Sequence, residues 1–128
     1  MPATAKRFNR KVQVAQLNQP KINVELGTKY LRELFLKFDG NLIYTLGSYN
    51  AGENRIIRWK KELFRNDNPL ATIESIPFEE TRNYVKLIYR NHFFYSVLHN
   101  KSVFNQSIED SFKVTLKPEH KAKLTASP

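Results

Sequence analysis

Asn41-Leu42-Ile43-Tyr44-Thr45-Leu46-Gly47-Ser48-Tyr49-Asn50-Ala51-Gly52 is the stretch that decides how this chain folds. Asn41 suits an N-cap, because its side-chain oxygen can accept one of the amide hydrogens that the first turn of a helix leaves unpaired. Leu42, Ile43, Leu46 and Tyr49 then recur on one helical face, and Gly52 stops the helix. Tyr49 and Asn50 project where the backbone turns. Tyr49 carries a hydroxyl on a rigid apolar ring, and Asn50 carries two donors and an acceptor. Ala51 and Gly52 have little or no side chain, so a ligand can come close to the backbone. Such a mixture suits a sugar, which offers hydroxyls, acetamido groups and apolar ring faces. A plain helix end accounts for the same four residues.

Outward from this stretch the helical period continues between short breaks. Pro2 suits the first turn of a helix running towards Lys11, and Gln16-Leu17-Asn18-Gln19-Pro20 interrupts the pattern. Asn23-Val24-Glu25 leads into a second helix whose apolar stripe is Leu31, Leu34, Phe35 and Phe38, closed by Asp39-Gly40. After Gly52 a further helix turns Ile56, Trp59 and Leu63 inward and Arg55, Arg58, Lys60 and Lys61 outward. Asn66-Asp67-Asn68-Pro69 reads as a loop. The longest helix is expected from about Phe78, after Pro77, to about His99. Val12-Gln13-Val14 and Phe112-Lys113-Val114-Thr115-Leu116 alternate in polarity but are too short to carry a sheet. The fold class is therefore all-α.

The 128 residues suffice for one domain or a large part of one, and 41% hydrophobic residues can fill a core. The absence of cysteine rules out a disulfide framework and a thiolate nucleophile or ligand. His92, His99 and His120 lack ligand spacing with carboxylates; no metal and no cofactor is expected, and His92 is expected to pack among Phe93, Phe94 and Tyr95. Trp59 could stack on a sugar, but on an apolar face it reads as core. No apolar run is long enough to span a membrane and no signal peptide is visible. The net charge of +9 is concentrated at the start, where residues 1–23 hold five basic and no acidic residues. That balance favours a polyanion, either nucleic acid or the carboxylate-bearing stem peptides of peptidoglycan.

Three ordered segments break that tie. Met1-Pro2-Ala3-Thr4-Ala5, Tyr49-Asn50-Ala51-Gly52 and Glu74-Ser75-Ile76-Pro77-Phe78-Glu79-Glu80-Thr81-Arg82 together resemble the catalytic domain of the soluble lytic transglycosylases. The similarity covers roughly residues 1–98. In that family Met1 to Ala5 is the tail of a Gly-Leu-Met-Gln-x-Met-Pro-x-Thr-Ala motif. The resemblance implies a lysozyme-like domain over residues 1–99 that lacks its N-terminal catalytic-glutamate helix, with residues 100–128 as a loosely packed extension. Carried over by position, it implies substrate-binding roles for Met1, Tyr49, Asn50 and Ala51, and places Glu74 on the sugar-binding wall. Glu79 and Glu80 read instead as residues of a helix's first turn, where carboxylates favour the dipole. Two departures stand out. Gly47 occupies a position where the family has alanine, at about 1 kcal/mol of helix propensity. Asn54 stands where the family has a second glycine, and asparagine tolerates the left-handed conformation that such a turn requires.

The resemblance also implies a reaction. Lytic transglycosylases use one glutamate, which protonates the glycosidic oxygen between N-acetylmuramic acid and N-acetylglucosamine. It then takes the proton of the muramoyl C6 hydroxyl, which attacks the anomeric carbon and leaves a 1,6-anhydro sugar. That acid must be buried against apolar walls to stay protonated near neutral pH. In the family the Glu-Ser motif that carries it lies ahead of the segment matching Met1 to Ala5, so the acid is expected upstream of Met1, and no residue of this chain is assigned as catalytic. The chain is accordingly expected to bind peptidoglycan strands without cleaving them, in the periplasm or cell envelope. It is also expected to be a monomer that aggregates readily, because faces that the missing helix would cover are open to water. The alternatives are a peptidoglycan-binding remnant with a genuine start at Met1, and a basic helical nucleic-acid binder, which leaves Tyr49 to Gly52 and Glu74 to Arg82 unexplained.

Overall fold

The computed structural model describes residues 19–65 and 68–99, and these form five helices. They are α1 (Pro20–Lys37), α2 (Leu42–Ala51), α3 (Glu53–Glu62), α4 (Pro69–Glu74) and α5 (Glu79–His99). No strand occurs among the described residues. Met1, the expected helix after Pro2, the two alternating segments, His120 and the C-terminal extension lie outside them.

The fold is organised around α2, which packs against all four other helices. Asn41 Oδ1 accepts the Tyr44 backbone N–H at 3.0 Å, and the Thr45 hydroxyl donates to the Asn41 carbonyl at 2.8 Å. Burial is not confined to the apolar face. Ile43, Thr45, Leu46, Gly47, Ser48 and Ala51 are all buried, so neighbours enclose the helix on nearly every side. Small residues make that possible. A Cβ on Gly47 would stand 2.7 Å from Ile56 Cδ1 and 3.4 Å from its Cγ1. The glycine that weakens α2 as an isolated helix is thus what lets α3 approach, and Ile56 fills the space completely.

Ile56, Trp59, Ile73, Ile76, Val85 and Tyr89 join Ile43, Leu46 and Ala51 in one core, drawn from α2, α3, α4, α5 and the α4–α5 connection. Around its rim Phe38 meets Tyr44 edge-on, and Tyr44 stacks on Phe64 with centroids 5.7 Å apart. Trp59 is core, as its position on the apolar face indicates.

Several local expectations change. Helix α1 begins at Pro20, which occupies its first turn, rather than near Asn23. Its buried line is Leu26, Gly27 and Leu34, with Tyr30 half-buried between them; Leu31, expected in the stripe, is exposed. The face is rotated because Tyr30 turns towards Tyr49 of α2, with ring centroids 5.8 Å apart. Leu63, expected inward, lies beyond the end of α3 and is exposed. The segment before Glu74 forms α4, a helix that composition did not announce; Asn68 caps it by accepting from Leu70 N and Ala71 N. Asn54 lies inside α3, and among non-glycine described residues only Asp39 has positive φ. The α2–α3 turn therefore asks for the left-handed region only at Gly52 (φ 96°), and Asn54 needs no such tolerance. His92 is exposed rather than packed, because α5 has passed beyond the core at that point.

Candidate functional site

The C-terminus of α2 and the N-terminus of α5 face each other across an open hollow of about 540 Å³, within the roughly 300–1,000 Å³ of small-molecule sites. Asn50, Ala51 and Arg55 line one side and Pro77, Phe78, Glu79, Glu80 and Thr81 the other. The two helix ends carry opposite partial charges, and each is matched by side chains. Arg55 Nη1 donates to the Ala51 carbonyl at 2.6 Å, at the negative end of α2. Glu79 and Glu80 occupy the first turn of α5, at its positive end.

Phe78 is the apolar element of the wall. It is 44% exposed, its ring meets Trp59 edge-on at 5.1 Å, and the Arg55 guanidinium carbon lies 5.2 Å from its centroid. The buried indole thus holds in place a ring that solvent and ligand can reach. Pro77 is exposed, Ile76 is wholly buried, and the Arg82 guanidinium donates to the Ile76 carbonyl at 3.1 Å. That bond ties the connection to α5 and fixes where Phe78 stands.

The two sides are joined by one side-chain bond. The Thr81 hydroxyl donates to Asn50 Oδ1 at 2.6 Å. Thr81 is buried and Asn50 exposed, so the asparagine is held from below at the edge of the hollow.

Of the residues singled out from sequence, Asn50 and Ala51 line the hollow. Tyr49 does not line it and lies towards Gly27 and Tyr30 of α1 and Tyr84 in the second turn of α5. Its hydroxyl sits over Gly27, where an added Cβ would lie 2.8 Å from the oxygen. Tyr84 is close by, and burial first, then the neighbouring Tyr49, push the Tyr84 phenol above its ordinary range. Glu74 ends α4 as an exposed carboxylate paired with Lys86 at 2.6 Å, and it is not among the residues that line the hollow. The Lys86 hydrogen bond holds the Glu74 carboxyl below the usual carboxylate range. The glutamates at the hollow are Glu79 and Glu80 instead. Met1 lies outside the described residues.

Sequence reasoning missed Phe78, Arg55 and Thr81. Phe78 had a local signal, since a large aromatic between a proline and two helix-starting glutamates has few apolar neighbours along the chain. Arg55 and Thr81 had none, because each acquires its place only when α2 and α5 come together. Among the described residues no glutamate is buried, no group of three metal-ligating side chains occurs, and no helix is long and apolar enough to cross a membrane.

Residues 1–69 match the family described as the transglycosylase SLT domain. This stretch includes α1, α2 and α3 and, with them, the Asn50 side of the hollow. The chain belongs to that family, whose domain is a lysozyme-like helical fold. It is 41% identical over 71 residues to the soluble lytic murein transglycosylases of Salmonella typhimurium and of Escherichia coli K12, covering 56% of this chain and 11% of each relative. It is 38% identical over 117 residues to a putative soluble lytic murein transglycosylase of Haemophilus influenzae, covering 83% of this chain and 19% of that protein. The chain therefore matches between about a tenth and a fifth of the length of these relatives. No solved structure gives a significant match.

Proposed function

We propose that the chain forms one wall of a glycan-binding groove in a lytic transglycosylase domain, that it binds peptidoglycan strands, and that it does not cut them. The observation that carries the binding half is the position of Asn50 and Ala51. They lie in the stretch that matches the family, and they line the hollow that α2 and α5 enclose. The wall supplies what a sugar requires: an accessible aromatic ring in Phe78, donors on Asn50 and Arg55, and acceptors on Glu79 and Glu80. Tyr49 contributes to this site by packing between α1 and α5, which sets the end of α2. Glu74 contributes through Lys86, by fastening α4 to α5 beneath the wall.

The catalytic half rests on pKa. A single acid and base that protonates a glycosidic oxygen near neutral pH must be kept neutral by burial. Glu79 and Glu80 are exposed, and the Glu74 carboxyl is shifted the opposite way by Lys86. None has the surroundings that the reaction demands. The location that goes with this function is the periplasm or cell envelope, where murein is.

Co-sedimentation with purified murein sacculi tests binding, and mass analysis of the supernatant tests cleavage. The full chain is expected to pellet with the sacculi and to release no 1,6-anhydro-muropeptides. Release of such products would overturn the non-cleaving half. Failure to pellet, with the chain folded by circular dichroism, would overturn the binding half.

A further inference from the structure

We propose that the far half of α5 is a membrane-docking surface, which lays an apolar stripe and a bordering arginine on a bilayer of anionic phospholipid. The chain would rest on that surface without crossing it, since no described helix is long and apolar enough to span. This goes beyond glycan binding and uses none of the residues that line the hollow.

Leu87, Phe94, Tyr95 and Leu98 are the large apolar side chains that α5 leaves exposed, and their spacing of i, i+7, i+8 and i+11 puts them on one face. The residues that α5 buries, Thr81, Val85 and Tyr89, form another. At about 100° per residue, Leu87 and Leu98 lie more than about 150° around the axis from Tyr89. One face of the helix is given to the core and the other points away from it. Single exposed leucines are ordinary, but a continuous stripe marks an interaction surface. No residue of α5 after Tyr89 is buried, so the stripe stands clear of the core, where a flat surface can reach it.

The charge around the stripe selects what covers it. Thr81 to His99 holds no aspartate or glutamate, while Arg82, Lys86 and Arg90 lie along the same helix. Arg82 reaches the Ile76 carbonyl and Lys86 reaches Glu74. Arg90 is exposed, three residues after Leu87 and four before Phe94, so it borders the stripe. A second copy of this chain would set arginine near arginine with no carboxylate on the far half of α5 to receive either. Four side chains also fall well short of the roughly 20–30 residues a side of a stable protein interface. A soluble polyanion would satisfy Arg90 and leave the stripe in water. An anionic bilayer answers both parts. Its phosphates receive Arg90, whose stem lies along apolar surface, while Leu87, Phe94 and Leu98 enter the acyl boundary. Tyr95, on the flank, keeps its hydroxyl among the headgroups. Asn91 lies within the stripe, but it is neutral and suits headgroup depth.

Flotation of the full chain with lipid vesicles tests the proposal. Vesicles of equal parts phosphatidylcholine and phosphatidylglycerol should carry the chain upward, and vesicles of phosphatidylcholine alone should bind it at least about tenfold more weakly. Phe94→Ser with Leu98→Ser should weaken binding to the anionic vesicles at least about tenfold, because two large side chains lose their apolar burial. Arg90→Gln should weaken it about fivefold. Arg58→Gln removes the same charge from an exposed position on α3 and should change binding by less than about twofold, since distant charges are screened. All four positions are exposed, so the circular dichroism melts of these variants should superimpose on that of the unaltered chain.

Absence of flotation with the anionic vesicles overturns the proposal. Flotation that Phe94→Ser with Leu98→Ser leaves intact overturns it too, because charge alone is then responsible. Sedimentation equilibrium of the chain without lipid covers the other occupants. A dimer that forms with rising concentration and is lost in the serine variants would assign the stripe to a second copy. A fall in Tm for those variants would show the stripe covered within the chain, and either result sinks lipid docking. Murein binding is untouched by all of these outcomes, since co-sedimentation with sacculi tests it separately.

Discussion

Helix α2 and the distal half of α5 are both rich in apolar and aromatic residues, yet they end in opposite environments. In α2, six of ten residues are buried. In α5 the buried residues are Thr81, Val85 and Tyr89, and none follows Tyr89. Phe94, Tyr95 and Leu98 stand out to solvent, Leu98 at 76% exposure. The difference lies in the small residues. Gly47, Ser48 and Ala51 let neighbouring backbones close on α2, whereas Phe93-Phe94-Tyr95 presents bulk in several directions and, among the described residues, no helix closes over it. Apolar content supplies a driving force of roughly 25 cal/mol per Å², but it acts only where shape permits contact.

The sharpest way to break the comparison is to hollow out the α2 side. Ile56→Ala removes three carbons from a site with no exposure and should cost about 3 kcal/mol in urea unfolding. Leu98→Ala, a similar deletion at the far end of α5, should stay within about 0.5 kcal/mol. Equal losses at the two positions would show that the end of α5 is packed as tightly as the centre.

A smaller effect tests the fit between α2 and α3. Gly47→Ala adds helix propensity but drives its Cβ into Ile56, and should destabilise by about 1–2 kcal/mol. Ile56→Val removes the offending Cδ1, so the double variant should recover at least about 1 kcal/mol relative to additivity. Additive losses would mean that Ile56 can step aside unaided.

Ser48 offers a gain of about the same size. Its hydroxyl is wholly buried and has no hydrogen-bond partner among the described residues. Ser48→Ala relieves an unsatisfied group and should stabilise by about 1 kcal/mol, raising Tm by several degrees. A fall in Tm would reveal a partner for that oxygen.

The smallest effect belongs to Glu74. Its carboxyl is held low in the folded chain by Lys86, so its contribution is present above the unfolded value and fades as pH falls below about 4.5. The pair is exposed, so Glu74→Gln should leave Tm at pH 7 unchanged and slightly flatten the acid limb of a pH–stability curve. A large loss at pH 7 would mean that Glu74 does more than fasten α4.

Much of this was legible along the chain, and the reasons are local. Asn41 and Gly52 mark the ends of α2 because a cap and a left-handed glycine act within one turn. Trp59 and Ile56 announced the inner face of α3 by their spacing, and Glu79 and Glu80 announced the start of α5. What stayed hidden depended on contacts across the fold. Leu31 satisfied the helical period of α1 as well as Leu34 did, but the docking of Tyr30 against Tyr49 turned it outward. Asn50 stood out as a hydrogen-bonding residue, while the partner that holds it lies 31 positions away.

The sequence by itself determined four of the five described helices, the two ends of α2 and membership of the family, because periodicity, capping and motif order are short-range properties of a chain. Only the tertiary structure decided that Gly47 is a seat for Ile56, that Phe78, Glu79 and Glu80 rather than Glu74 face the hollow, and that Thr81 holds Asn50. Each of those depends on how closely two helix surfaces approach, and a separation in space is not encoded in the spacing of residues along either one.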